Sequence, residues 1–206
     1  MKIIVLRLGQ LAANCYLISD PETKQTLIID PGDDPDYILQ IIKEENLLPK
    51  IIIATHCHFD HIMAVNELKL NFKIPFLTHK NSLQILPRMR KMANFFINFD
   101  PGPAPEPDKF LQGNDNLRIG RRLIKIIETP GHTPDGICLY SKKNHVLFSG
   151  DTIFANGFLG RTDLPDSNRK QLADSLNKIF KLPPKTRILS GHGEPTTVAK
   201  EKIYHL

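Results

Sequence analysis

Short apolar runs separated by turn-forming residues dominate the first quarter of the chain. Residues 2–8, 15–19 and 25–29 alternate or run apolar, and Gly, Asn, Asp and Pro lie between them. Runs of this length with such boundaries are typical of β-strands. An amphipathic helix is predicted next, because Asp34-Pro35 has the form of an N-cap with proline at the first helical position. Apolar residues at helical spacing follow, and Pro49 is expected to end the helix.

The next pattern predicts a strand, a polar turn and a helix. The apolar run 51–54 is followed by the segment Thr55-His56-Cys57-His58-Phe59-Asp60-His61. Ile62, Val65 and Leu68 then recur at helical spacing up to about residue 72. Four strong metal-ligand side chains therefore occupy six residues of one turn. A chance cluster of surface histidines is the alternative, and the pattern downstream argues against it.

The middle of the chain predicts one or two helices and a loop. Residues 81–99 carry Met and Phe at steps of mostly three and four, after a short strand near 76–78. This stripe is expected to be core or a pocket wall, with a partner-binding face as the alternative. The segment 101–107 holds four prolines and is expected to be an irregular surface loop. Together, residues 81–110 are expected to form one side of a cleft.

The second half repeats one arrangement three times. A strand at 123–128 precedes Gly131-His132, a strand at 145–149 precedes Gly150-Asp151, and a strand at 187–190 precedes Gly191-His192. Glycine permits a sharp turn and a close backbone approach in front of each polar residue. If these strands end on one rim, their side chains converge with those of the first motif, as ligand sites do at the carboxyl ends of strands.

Composition narrows the class of protein. The 206 residues are 41% hydrophobic and 24% charged, enough to form a core in one domain. The net charge of +5 is spread along the chain, which fits a small anionic substrate better than nucleic acid. Three separated cysteines predict neither a disulfide framework nor a Cys-x-x-Cys zinc site. Without a signal peptide or an apolar run that could span a membrane, a cytoplasmic protein with no membrane partner is expected.

The donor set is sufficient for two metal ions. Three imidazoles come from His56, His58 and His132, and a second set consists of two imidazoles and a carboxylate, with a further carboxylate able to bridge. Imidazole and carboxylate suit Zn, Fe or Mn. Cys57 is expected to point away and pack, with ligation as the alternative. The remaining histidines are expected to be surface or structural: His79, His145 and His205.

Taken in order and spacing, these motifs resemble the metallo-β-lactamase-fold hydrolases. The resemblance covers nearly the whole chain, including Asn14-Cys15-Tyr16 and Asp30-Pro31-Gly32. It implies a single α/β domain over 1–206, a four-layer αβ/βα sandwich. It also implies two divalent ions, Zn first and Fe or Mn next, held by three groups of residues: His56, His58 and His132; Asp60, His61 and His192; and Asp151 as a bridge.

The stretch from Gly150 through Gly160-Arg161-Thr162-Asp163 resembles more narrowly the short bacterial glyoxalase II-like proteins, the hydroxyacylglutathione hydrolases. Full-length members carry a C-terminal helical domain that holds glutathione. Only 14 residues follow His192, so that domain is expected to be absent and thiol recognition to be loose.

The resemblance implies hydrolysis of anionic thioesters by a hydroxide held between two ions, because bound metals lower the pKa of water to about 7. Asp60 and Asp151 are the candidate catalytic carboxylates. Arg161 is the candidate substrate-binding residue, with a local ion pair to Asp163 as its alternative role. Other functions stay open: a mononuclear-iron persulfide dioxygenase, and a hydrolase of another ester, a lactone, a β-lactam or a phosphodiester. A nuclease and a non-enzymatic metal-bound module are less favoured. Oligomeric state is not indicated by the sequence.

Overall fold

Twelve strands form two six-stranded mixed sheets in the computed structural model, which describes residues 1–205. The first sheet has the order β1-β2-β3-β4-β5-β6, and the second has the order β12-β11-β10-β9-β8-β7. The strands of the first sheet are β1 (Lys2–Leu8), β2 (Ala13–Ser19), β3 (Gln25–Ile29), β4 (Leu48–Ile53), β5 (Phe76–His79) and β6 (Lys109–Leu111). Those of the second are β7 (Asn116–Ile119), β8 (Arg122–Glu128), β9 (Ile137–Ser141), β10 (Val146–Gly150), β11 (Arg187–Ser190) and β12 (Thr196–Thr197).

Five α-helices cover the outer faces of the two sheets. They are α1 (Pro35–Glu44), α2 (Val65–Phe72), α3 (Met89–Ile97), α4 (Arg169–Ile179) and α5 (Val198–His205). Short 3₁₀ turns lie at Phe59–His61, Lys80–Gln84, Leu86–Arg88 and Ala155–Gly157. Within residues 1–205, no helix is long and apolar enough to cross a membrane.

Three apolar clusters separate the four layers. Along β2, Cys15 and Leu17 face the cluster under α1, α2 and α3, whereas Tyr16 and Ile18 face the cluster between the sheets. This alternation is the period of two that a strand buried on both faces requires. The third cluster packs α4 and α5 on the second sheet and includes Leu176. The predicted four-layer αβ/βα sandwich is confirmed.

The strands that precede the candidate donors run in compatible directions. In the first sheet β3 and β4 are parallel. In the second, β8 and β10 are each antiparallel to β9, and β10 is parallel to β11, so β8, β10 and β11 point the same way. Their following turns therefore meet at one edge of the sandwich, as the repeated sequence pattern predicted.

The predicted start of α1 is confirmed, whereas its predicted end is wrong. Asp34 occupies the N-cap position and Pro35 begins the helix, although the Asp34 carboxylate accepts a hydrogen bond from Gly9 N–H and not from the helix. Pro49 does not end the helix, which stops at Glu44. It lies instead in β4, opposite Thr26, where the parallel register shifts. A proline that cannot donate to the ladder is tolerated at such an irregularity.

The segment from 80 to 108 differs from its prediction in two ways. Met89 is buried and Met92 is partly buried, but Phe95, on the same helix, is 78% exposed, so the Phe part of the stripe is not core. The Pro103 and Glu106 carbonyls of the proline-rich loop accept hydrogen bonds from side chains of α2. Of this segment, residues 85–92 and not the loop line the pocket beside the candidate donors.

Candidate metal centre

Four strand ends bring seven donor side chains to one edge of the sandwich. Four of the donors lie in the segment that follows β4. The other three each follow a strand of the second sheet: His132 follows β8, Asp151 follows β10 and His192 follows β11. The 3₁₀ turn Phe59–His61 reverses the chain within the first motif, which lets Asp60 and His61 face the same centre as His56 and His58.

The donor atoms fall into three overlapping groups, each with all its atoms within 4.8 Å of one another. The groups are His56, His58 and His132; His56, His61 and Asp151; and Asp60, His61 and His192. Oδ2 of Asp151 lies 3.8 Å from His132 Nε2 and 3.6 Å from His192 Nε2, so this carboxylate stands between the outer groups. Two of these groups contain the residues that the family resemblance assigned to two separate ions, and the third joins one member of each set with Asp151.

Several of these atoms are buried without a hydrogen-bond partner. They include Nε2 of His56, Nε2 of His61 and Oδ1 of Asp151. A buried polar atom left unpaired costs about 1–3 kcal/mol, so native proteins rarely leave three together without a ligand. All three belong to one group of donors, and nitrogen with carboxylate oxygen is the chemistry that Zn and Fe accept. The residues therefore fit a bound cation.

Backbone carbonyls orient two of the imidazoles. His132 donates from Nδ1–H to the carbonyl oxygen of Arg161 at 2.9 Å, and His192 donates from Nδ1–H to that of Leu11 at 3.1 Å. Because a carbonyl only accepts, the neutral form of each ring has its lone pair on Nε2, the nitrogen that faces the centre. Such outer hydrogen bonds set the tautomer and raise the basicity of metal-binding histidines.

Asp30 supports the first motif from the end of β3. Its carboxylate accepts hydrogen bonds from Thr55 N–H and from the Thr55 hydroxyl, and Oδ2 lies 3.2 Å from Nδ1 of His61. It is 1% exposed. From the sequence, Asp30 was named only within the Asp30-Pro31-Gly32 motif of the family resemblance and was given no role at the site. Its position could have indicated this role, because a polar residue at the end of β3, which pairs with β4, lies beside the turn that carries His56.

Charge and burial set the proton affinities of the donors. Burial, with His132 nearby, lowers the pKa of His58 to about 4, and burial also holds the pKa of His56 well below its usual range. Burial opposes a charge on His61, but Asp151 and Asp60 outweigh it and raise the pKa of His61 well above its usual range. The negative charge that favours a proton there also favours a metal cation.

Glycines let the backbone approach the donors closely. A Cβ on Gly191 would lie 2.1 Å from Oδ1 of Asp151 and 2.7 Å from Cε1 of His61. A Cβ on Gly160 would lie 1.9 Å from the Asp151 carbonyl oxygen. The predicted close approach is therefore present at Gly191, whereas at Gly131 the crowding comes from Leu172 of α4 instead.

Cys57 lies among the donors in sequence but faces elsewhere. It is fully buried in the cluster under α1–α3, and its Sγ lies 3.3 Å from Oγ1 of Thr78. The predicted packing role is confirmed for this side chain. His79 is buried beside Glu128 and accepts a hydrogen bond from Asn81 N–H, so it is structural.

Two depressions of unequal size border the centre. An open groove of about 530 Å³ is lined by His132, Asp151, His192, Phe154, Phe158 and Arg161 among others. A narrow pocket of about 150 Å³ is lined by His58 and His132 and by apolar side chains of residues 85–92 and 164–165. His132 belongs to both, so the two depressions meet at the donor cluster.

Arg161 lies at the rim of the open groove. Its guanidinium forms a bidentate ion pair with Asp163, at 2.9 and 2.7 Å, and both side chains are more than half exposed. The two alternatives drawn from the sequence, a local ion pair and a position at the site entrance, are thus both present. A second ion pair at the site, Arg88 with Asp166, was not expected from the sequence.

Comparison with known proteins identifies the same family that the sequence motifs indicated. The family model described as the Metallo-beta-lactamase superfamily matches residues 8–192. Similar proteins include a probable metallo-hydrolase, YqgX, of Bacillus subtilis (37% identical, 98% of this chain and 95% of that one). The hydroxyacylglutathione hydrolase GloC of Haemophilus influenzae is 33% identical over 98% of this chain and 95% of that one.

Two solved structures are close in shape. The B3 metallo-beta-lactamase BLEG-1 superposes with a TM-score of 0.90 at 34% identity, covering 98% of this chain and 97% of that one. TTHA1623, described in a di-iron-bound form, superposes with a TM-score of 0.89 at 33% identity, covering 97% and 96%. Proteins of similar fold are thus described both as a lactamase and as an iron-bound protein.

Proposed function

The chain belongs to the metallo-beta-lactamase superfamily, and from that premise we propose that it is a thioester hydrolase acting on substrates such as hydroxyacylglutathione. The observation that carries the proposal is the convergence of seven imidazole and carboxylate donors where an open groove and a narrow pocket meet. The relative named as a hydroxyacylglutathione hydrolase supports the choice of substrate class.

The proposal assigns the seven donors to two divalent ions. His56, His58 and His132 would hold one ion, Asp60, His61 and His192 would hold the other, and Asp151 would contribute its carboxylate to both. Zinc is the first choice, and the iron-bound form described for a similar structure keeps iron open as well. The chemistry that such ions supply is a water pKa lowered to about 7 and polarisation of the acyl oxygen.

The protein's own groups position the reactants and move the proton. Water adds its oxygen to the acyl carbon, the carbon–sulfur bond breaks, and the products are a carboxylate and a thiol. The carboxylate of Asp60 has its Oδ2 3.3 Å from His192 Nε2, and its other oxygen would take up the proton of the attacking water and pass it to the departing thiolate. A thiolate has an ordinary pKa of about 8.5 and leaves without a dedicated general acid.

Residues 1–206 act as one catalytic domain in this proposal. The open groove, with Arg161 on its rim, receives an anionic substrate in solution. Neither nucleic acid nor a membrane is required as a partner.

The deciding experiment is a substrate panel on purified protein loaded with zinc or with iron. We expect lactoylglutathione and related thioesters to be hydrolysed, with slower or no turnover of lactones, β-lactams and phosphodiesters. Asp151→Asn is the matched inactive variant. Turnover of β-lactams above thioesters, or oxygen uptake with a persulfide in the iron-loaded protein, would replace the proposal with one of those activities.

A further inference from the structure

The narrow pocket differs from the open groove in shape and in the chemistry of its lining. Its walls are Ile85, Met89 and Met92 on one side and Leu164 and Pro165 on the other. The ion pair between Arg88 and Asp166, which also line the pocket, joins those two walls. The pocket therefore has a largely apolar lining with one charged pair across it.

Its volume limits what it can receive. The pocket volume of about 150 Å³, against about 530 Å³ for the groove, favours a small substituent in the pocket over a peptide-sized thiol. The open groove is more than three times larger, carries the exposed Phe158 and has charged groups on its rim. A large polar thiol therefore fits the groove, and a short apolar acyl group fits the pocket.

The position of the pocket fits a substrate that is split between the two spaces. It borders His58 and His132, whereas the groove borders His132, Asp151 and His192. A thioester carbon held beside His132 places its acyl substituent towards one space and its sulfur towards the other.

We infer that the narrow pocket is the acyl-binding subsite and that Met92 sets the acyl length the enzyme accepts. This inference rests on the proposed thioester hydrolysis. Met92 is a sharper determinant than Met89, because it lines the pocket while only partly buried, whereas Met89 is 2% exposed and belongs to the core under α3. Methionine is unbranched and flexible, so its removal opens space with little strain on its neighbours.

The test is a series of thioesters with one thiol and acyl chains of increasing length, measured with the metal-loaded wild type and variants. Met92→Ala is expected to shift the preferred acyl chain to greater length, with the kcat/KM ratio between a longer and a shorter acyl group changing about tenfold or more. Met92→Phe fills the space and is expected to shift the preference to shorter chains. It also provides the test if the alanine variant is poorly folded.

Phe158→Ala is the matched variant in the open groove. This substitution is expected to change how KM depends on the thiol part of the substrate. The preferred acyl length is expected to stay as in the wild type. Binding can also be measured without turnover, as the rise in Tm that straight-chain carboxylic acids produce. In the Met92 variants, the chain length that stabilises most is expected to move in the same direction as the substrate preference.

The outcomes distinguish a failure of the acyl subsite from a failure of the proposed thioester hydrolysis. Hydrolysis of thioesters with the same acyl profile in wild type and in both Met92 variants overturns the subsite and leaves the thioesterase intact. A changed acyl profile in Phe158→Ala with none in Met92→Ala reverses the two spaces. Absence of turnover with every thioester overturns the proposed function and the subsite with it.

Discussion

The carboxylate of Asp30 accepts two hydrogen bonds of 2.6 Å from Thr55, one from its backbone N–H and one from its hydroxyl. These bonds connect the end of β3 to the turn that carries His56 and His61. Asp30 has a φ of 51°, an uncommon backbone conformation for a residue with a side chain. The strain and the burial together indicate that this carboxylate is placed to hold the donor turn.

The first prediction follows from that relationship. Asp30→Asn replaces one acceptor oxygen with a donor that faces the Thr55 hydroxyl or His61, so the donor turn loses its support. We expect metal affinity to fall about 10- to 100-fold, the usual effect of changing an outer partner of a metal ligand. Competition with a chromophoric chelator measures it. Asp36→Asn, on the exposed face of α1, is the control, and equal affinity in both variants would contradict the role of Asp30.

The second prediction concerns the number of metal ions. The wild type is expected to hold close to two per chain. His58→Ala is expected to lose the ion of the His56 and His132 group and to keep that of Asp60, His61 and His192. Elemental analysis after dialysis gives the count, and His205→Ala is a histidine control away from the centre. One tightly held iron in the wild type, with no second site for added zinc, would contradict it.

The related catalytic prediction is loss of hydrolysis with a retained fold. His58→Ala and Asp151→Asn should each abolish thioester turnover, because each removes a donor of the proposed centre. Three apolar clusters and two sheets stabilise the chain independently of those donors, so circular dichroism should match the wild type. An unfolded spectrum for either variant would mean that the site has a structural role.

The sequence contained most of the site because each donor has a local signature. His132, Asp151 and His192 follow an apolar strand and a glycine, and the first motif is dense in donors. Partners that join distant segments have no such signature. The carbonyl of Leu11, which accepts from His192, and the ion pair between Arg88 and Asp166 connect positions far apart in the chain, and only the assembled layers bring them together.

The same distinction explains where the fold departs from expectation. Asp34 takes the predicted N-cap position, but its carboxylate binds Gly9 N–H from a neighbouring loop and not a helical N–H. Phe95 has core composition and helical spacing, but α3 has only one face against the first sheet, and Phe95 lies on the other. Local propensity is a weak constraint where tertiary contacts decide which partner or face is used.

The third prediction tests Arg161 at the groove rim. Its side chain is 57% exposed and is free of the donor cluster, whereas its carbonyl, which holds His132, survives substitution. Arg161→Ala is therefore expected to raise KM for a negatively charged thioester several-fold with little change in kcat, since it removes binding common to ground and transition states. Arg118→Ala, on the edge strand β7, is the control. An equal rise in KM for an uncharged thioester would show that charge is not the cause.

The fourth prediction concerns stability and pH. Asp20 accepts hydrogen bonds from Arg121 N–H at 2.6 Å and Glu22 N–H at 3.0 Å, and these bonds lower the pKa of its carboxyl. They join the turn after β2 to the turn before β8, and so the first sheet to the second. A lowered folded-state pKa stabilises the protein above the unfolded value of about 3.9, and that stabilisation is lost as pH falls through the folded-state pKa.

Asp20→Asn is therefore expected to lower Tm at pH 7, and the difference from wild type should shrink as the pH is taken below about 4. Thermal unfolding across that range measures it. Glu22→Gln is the control from the same turn, because its ion pair with Arg121 is exposed on both sides and contributes little. A Tm difference that stays constant with pH would show that the ionised carboxylate is not what stabilises the contact.

The last prediction separates steric crowding at the centre from backbone strain beside it, using two glycines of one loop. A methyl group on Gly191 would lie 2.1 Å from Oδ1 of Asp151 and 2.7 Å from His61 Cε1, so one of those donors must move. Gly193 has nothing within 4 Å of an added Cβ, but its φ of 72° is costly for any other residue. Gly191→Ala is therefore expected to weaken metal binding at least tenfold, because a displaced donor no longer meets the ion in the geometry that its partners require. Gly193→Ala is expected to lower the free energy of unfolding by about 1 kcal/mol and to change metal affinity little. Urea unfolding of the metal-free variants and chelator competition on the loaded ones distinguish the two effects. If Gly193→Ala lost metal as readily as Gly191→Ala, the shape of the loop, and not the space beside Asp151, would control the centre.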